Sequence, residues 1–169
     1  IKDSEKELAV ANGIEYVELK VAFDGISVVV NKENTWAKEI TVDELKKIWA
    51  ADSTVMKWSD VRSDWPAETI NLYGPGTDSG TFEYFTEAIN GEAGNTRKDF
   101  TPSEDDNVLV QGIAGDTYAM GYFGFAYYEE NMDKLNVVAV DNGSGAIVPT
   151  METIMDGSYA PLSRPLYMY

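Results

Sequence analysis

The sequence predicts an α/β domain, on three observations. Short β-branched or aromatic runs, among them Ile26-Ser27-Val28-Val29-Val30 and Leu135-Asn136-Val137-Val138-Ala139-Val140, alternate with stretches whose apolar residues recur at helical spacing. Serine, threonine and acidic capping patterns mark helix starts, and 14 glycines punctuate the chain in a way that suits a mixed domain better than a bundle. With 169 residues and 44% hydrophobic content, the chain can bury one core and fits one domain.

Taken in order, Ser4-Glu5-Lys6-Glu7 reads as a capping box with Ser4 as N-cap, and Gly13 closes the short helix that follows. Residues 16–22 alternate as a strand, Asp24-Gly25 breaks it, and residues 26–30 suit a second strand buried on both faces. Residues 31–38 are a polar loop. Thr41-Val42-Asp43-Glu44 is another capping box, opening a helix whose Leu45, Ile48 and Trp49 face the core. Residues 58–66 form an irregular connection. All four tryptophans precede Glu68, and core packing is the expected role of each, rather than ligand stacking.

Residues 68–73 read as a short buried strand, and residues 81–90 as a helix with Phe82, Phe85, Ala88 and Ile89 on one face. Residues 90–100 are a loop carrying Thr96-Arg97-Lys98. The acidic run at 103–106 starts a further helix, where the dipole favours carboxylates, and its spacing lacks the alternating oxygens and turn glycine of a calcium loop. Residues 121–126 are a buried strand, 127–134 a polar helical turn, and 135–141 another strand. Asn142-Gly143-Ser144-Gly145 is a flexible break, residues 150–155 form a helix stopped at Asp156-Gly157, and residues 161–169 are extended and apolar. There is no internal repeat.

The stretch from Asn71 to Phe85 organises the rest: a strand, the glycine-rich turn Gly74-Pro75-Gly76-Thr77, then a helix. The first N–H groups of a helix have no partner within it and sit at the positive end of its dipole, so an anion is a natural guest. Ser79 and Thr81 would add hydroxyl donors, and Gly76 and Gly80 would let the backbone approach a small ligand. An ordinary helix start capped by Ser79 or Asp78 explains the same residues. Two enzyme readings fare worse. Asp78-Ser79-Gly80-Thr81 matches the aspartic-protease signature, but it follows a turn rather than ending a strand and has no second copy. A serine nucleophile at Ser79 would lack its usual base, because the chain contains no histidine.

Composition excludes more. A net charge of −16 and a pI near 4.2 argue against nucleic acid or an anionic membrane as partner. They do not exclude a small anion, since salt confines exposed charges to about 8 Å while oriented N–H groups and an arginine act at contact. Without cysteine or histidine there are no disulfides, no zinc site of the usual kind and no imidazole chemistry. No run reaches transmembrane length. Ile1, with neither leader nor initiator methionine, is expected to begin a processed product or an excised piece.

Several stretches carry a resemblance to a known family: 40–49, Trp58-Ser59-Asp60-Val61, 74–82, 103–110 and Pro161-Leu162-Ser163-Arg164-Pro165-Leu166-Tyr167. In this order and spacing the sequence resembles the PstS-like phosphate-binding proteins of bacterial phosphate ABC transporters. The resemblance implies one α/β lobe, with a central mixed sheet, of a two-lobe periplasmic-binding-protein (type II) fold. Residues 1–20 would be a hinge flank and remnant of the first lobe, 21–141 the phosphate-binding second lobe, and 142–169 the hinge return and a further remnant of the first lobe. It implies binding of inorganic phosphate without catalysis, cofactor or metal, in an extracytoplasmic setting, with the first lobe and the permease subunits as partners and no nucleic acid. The alternative is a secreted or surface interaction or sensing protein on the same fold.

Carried over residue by residue, the family's phosphate-binding triplet falls on Ser79, Gly80 and Thr81. Some members place an arginine four residues before that serine, but here the position is Pro75. The branch most similar to this sequence points to Arg97, with Lys98 as the fallback. Thr77 and Asp78 are expected in support, Asp78 orienting the loop or the arginine. The carboxylate that tells hydrogen phosphate from sulfate is expected from the first lobe.

Overall fold

A computed structural model describes residues 3–169. In chain order the elements are α1 (Asp3–Ala11), β1 (Leu19–Asn31), β2 (Glu39–Thr41), α2 (Val42–Trp49), α3 (Trp58–Val61), β3 (Asn71–Pro75), α4 (Gly80–Asn90), β4 (Thr101–Ser103) and α5 (Asp106–Ala114). Then follow β5 (Ala119–Gly124), α6 (Phe125–Glu130), β6 (Leu135–Val137), β7 (Ala139–Asp141), β8 (Ala146–Ile147), α7 (Met151–Met155) and β9 (Ser163–Met168). The mixed α/β lobe with a central mixed sheet is thus what the chain forms.

The main sheet runs β4-β3-β5-β1-β6. β3 is parallel to β4 and β5, while β1 is antiparallel to β5, β6 and β9. A smaller sheet, β2-β7-β8, lies apart. Alternation along β1 sends Ile26, Val28 and Val30 into one apolar cluster and Val29 into another, so this strand is buried on both faces. The first cluster holds Leu45, Ile48 and Trp49 of α2, Trp58 of α3, and Phe85 and Ile89 of α4. The second holds Leu109, Val110 and Ile113 of α5. Helices therefore cover both faces of the sheet, and the tryptophans serve the core as expected.

The capping box expected at the start of α2 and the acidic cap expected at α5 both form. Thr41 and Glu44 form the reciprocal capping box of α2, Asp105 caps α5, and Thr150 caps α7. Ser4 does not cap α1: the helix already includes Asp3 and Ser4, and Ile1 and Lys2 lie outside the described residues. Other boundaries moved. The strand expected at 68–73 is Asn71–Pro75, and the one expected at 121–126 ends at Gly124, where α6 takes over. Residues 135–141 divide between two sheets, with Val138 N–H donating to Val28 O at 2.9 Å between them.

The expected break at Asp24-Gly25 is absent, and β1 runs unbroken for 13 residues. Gly25 is there for space: a Cβ would run into the Ile154 side chain of α7. The first half of β1 pairs with β9, from Leu19 opposite Met168 to Gly25 opposite Ser163, and the second half enters the main sheet. α1, the segment after it and this outer ladder leave Leu8, Val10, Ile14, Val17, Leu19, Val21 and Met168 exposed.

Gly121 in β5 marks the tightest point of the sheet. A Cβ there would lie 2.6 Å from Tyr73 O, a ladder partner that cannot move aside, and 2.6 Å from Ile113 Cδ1. Gly121→Ala is expected to cost about 2 kcal/mol by overpacking. Urea unfolding checks this, and an unchanged midpoint would contradict it.

Candidate functional site

The turn after β3 is built by backbone bonds. Gly76 N–H donates to Ser103 O at the end of β4, and Ser79 N–H donates back to Gly76 O, each at 3.1 Å. Ser79 then takes the N-cap position of α4, with extended backbone (φ −84°, ψ 130°), and its Oγ accepts from Thr81 N–H at 3.1 Å. The helix itself offers no acceptor for the N–H groups of Gly80 and Phe82. The Ser79 hydroxyl keeps its hydrogen to donate outward, and Thr81 Oγ1 has no partner among the described residues. Gly80 is exposed, and a Cβ there would meet nothing within 4 Å. The mouth of α4 therefore presents free N–H groups, two hydroxyls and open space.

A second helix N-terminus lies beside it. β3 and β4 are parallel, with Pro75 opposite Ser103, so α4 and α5 both start at the same edge of the sheet. Their electrostatics differ. α5 already carries carboxylates: Asp105 Oδ1 accepts from Asn107 N–H at 2.9 Å, and Glu104 and Asp106 flank it. Burial first, then the charges of Asp105 and Glu104, hold Asp106 above the usual carboxylate range. α4 has a neutral cap, so its positive end is not answered by its own cap residue. Glu104 lies against Gly76, where any side chain would collide with its carboxylate.

Ser79, Gly80 and Thr81, the triplet expected in the site, form the cap and first two residues of α4. Thr77 and Asp78 are adjacent but exposed, and neither side chain bonds to a described residue, so Asp78 orients neither the loop nor an arginine in this state. Arg97 is not brought to this site. Its guanidinium donates to Ile48 O at 3.0 Å, to Val55 O at 2.7 Å, and through Nε and Nη2 to the Asp99 carboxylate at 2.6 and 2.7 Å. Its backbone N–H donates to Trp49 O, which also accepts from Asn90 at the far end of α4. Eleven residues of helix span about 16 Å, so Arg97 sits at the wrong end of α4. Lys98 is exposed beside it.

Instead, Tyr84 of α4 meets two residues of the β1–β9 ladder, Asp24 and Arg164, and none of the three carries an individual signal in the sequence. Tyr84 Oη donates to Pro161 O at 2.6 Å, and the Arg164 guanidinium lies 4.0 Å from the centroid of the Tyr84 ring. Arg164 Nη2 reaches Asp24 Oδ2 at 3.3 Å across the β1–β9 ladder. Desolvation above all pushes the Tyr84 hydroxyl up to about 12, so it remains a donor at neutral pH. No spacing rule links positions 24, 84 and 164; only the stretch 161–167 stands out, as part of the family resemblance.

Comparison with known proteins places this geometry. A profile described as a PBP superfamily domain matches residues 1–169. The protein SphX of a Synechocystis strain is 53% identical over 171 residues, and the phosphate-binding protein PstS of Staphylococcus saprophyticus is 42% identical over 170. Each alignment covers 100% of this chain and 51% of the relative, so the chain spans about half the length of the curated relatives it matches. A crystal structure of a Planctomyces limnophilus protein, described as a possible phosphate binding protein, superimposes with a TM-score of 0.91 at 52% identity. It covers 99% of this chain and 60% of that one. The chain belongs to the PBP superfamily.

Proposed function

We propose that this chain is the second lobe and both hinge strands of an extracytoplasmic protein that binds inorganic phosphate for an ABC importer. The observation that carries the reading is the mouth of α4, where a neutral cap at Ser79 leaves free N–H groups and two hydroxyls beside an open Gly80. A relative named as a phosphate-binding protein, 42% identical, supports phosphate as the anion. Residues 21–141 would form the phosphate-binding lobe, with residues 1–20 and 142–169 as hinge flanks. The exposed apolar residues of α1 and the outer β1–β9 ladder would pack against the first lobe, which also supplies the carboxylate that selects hydrogen phosphate over sulfate. The permease subunits would receive the closed protein. No helix among the described residues is long and apolar enough to cross a membrane.

Closure of two lobes would remove water from the anion, and each contact would strengthen in the lower dielectric. The step is binding, and none of these residues is assigned a chemical transformation. Calorimetry of inorganic phosphate on the two-lobe protein, with sulfate as competitor, tests it. Ser79→Ala with Thr81→Val removes two hydroxyl donors worth about 1 kcal/mol each, so affinity is expected to fall about 30-fold. Phosphate affinity equal to wild type would remove α4 from the site.

A further inference from the structure

The three arginines of the chain occupy unlike settings. Arg62 is forked on Glu44 at 2.8 and 2.9 Å and lies over the Trp65 ring. Arg97 is buried with both faces of its fork in use. Arg164 is held loosely. Among the described residues its only side-chain hydrogen bond is the 3.3 Å contact to Asp24, its Nε is buried with no acceptor, and 37% of the side chain is exposed.

Its position follows from helix geometry. Tyr84 lies three residues after Thr81 and four after Gly80, on the same face of α4, and helical side chains lean back over the preceding turn. The ring therefore lies along the first turn of α4, fixed at its tip by the bond to Pro161 O. The guanidinium rests on that ring from the side of the hinge strands.

We propose that Arg164 is the guanidinium that grips the anion at the mouth of α4, and that Asp24 is its resting partner, displaced when the anion binds. This rests on the phosphate reading above. A fork that meets a carboxylate through one long bond has spare donors, and a tetrahedral oxyanion can take two of them in parallel. Asp24 keeps the charge answered while the site is empty. It also competes with the ligand, which gives the idea a signature that a merely structural arginine would not have.

The test is calorimetry of inorganic phosphate on the two-lobe protein and three variants. Arg164→Gln is expected to weaken binding about 10- to 100-fold, the loss of a charge-assisted pair. Asp24→Asn is expected to tighten binding about threefold by freeing the guanidinium, and the double variant is expected to show none of that gain. If wild type binds phosphate and Arg164→Gln changes affinity less than twofold, the assignment falls while the phosphate reading stands. If Asp24→Asn weakens binding, Arg164 acts through the hinge ladder, and the assignment falls. If the Asp24→Asn gain persists in full without Arg164, it is plain charge repulsion, and that too overturns the assignment. If wild type binds no phosphate, the reading beneath it fails as well.

Discussion

Arg97→Ala is expected to destabilise the protein by about 4 kcal/mol, while the phosphate affinity proposed for the two-lobe protein stays unchanged in its folded fraction. The guanidinium is 6% exposed and ties together three segments: the end of α2 at Ile48 O, the following loop at Val55 O, and its own loop at Asp99. Removing it leaves two carbonyls without their donor at about 1–3 kcal/mol each and opens a void beside Met56. Asp99 adds little, because it is 57% exposed and water can take over its half of the pair. Arg97→Lys should recover only part of the loss, since an ammonium cannot serve two carbonyls and a carboxylate from one plane. A thermal melt checks the first half; for a chain of this size, about 4 kcal/mol corresponds to roughly 10 °C. Calorimetry below the melt checks the second. An Arg97→Ala protein that melts like wild type and no longer binds phosphate would return this arginine to the anion site.

That arginine also shows where sequence reading stops. The helix caps at Thr41 and Asp105 were legible because capping joins residues two or three positions apart. The start of α4 at Ser79 was legible for the same reason: Ser79, Gly80 and Thr81 are one turn of chain. Arg97 is defined by carbonyls 49 and 42 positions away, and Arg164 by a carboxylate 140 positions away. Nothing local distinguishes a loop arginine spent on carbonyls from one poised for an anion. β1 misled in the same manner. Asp24-Gly25 has the composition of a turn, yet both residues are held in a strand by β9, and Gly25 leaves room for Ile154 of α7, partners set by the fold. The split of residues 135–141 between two sheets likewise depends on which edges β1 and β2 offer.

Trp49→Ala carries the other large effect, about 4 kcal/mol, and it separates the seat of α4 from its ligand. Trp49 is 1% exposed and meets Phe85, Phe100 and Tyr122 edge-on at 5.6, 5.9 and 5.0 Å between ring centroids. Phe85 in turn stacks on Tyr122, so α2, α4 and β5 share one aromatic contact. Deleting the indole leaves a cavity that rings locked against a sheet cannot collapse to fill, the condition under which large-to-small changes cost most. The indole Nε1 is buried with no partner, so Trp49→Phe loses volume but also relieves an unmet donor. It is expected to cost about 1–2 kcal/mol, a fraction of the alanine value. Because Phe85 faces the core and not the mouth of α4, the two substitutions should rank alike in chemical unfolding and in hydrogen exchange of the α4 amides. Their effect on phosphate should be smaller than that of Ser79→Ala with Thr81→Val, which leaves the aromatic contact intact. If Trp49→Phe instead weakened phosphate as strongly as the loss of both hydroxyls, the mouth of α4 would depend on how the helix is seated more than on the groups it presents.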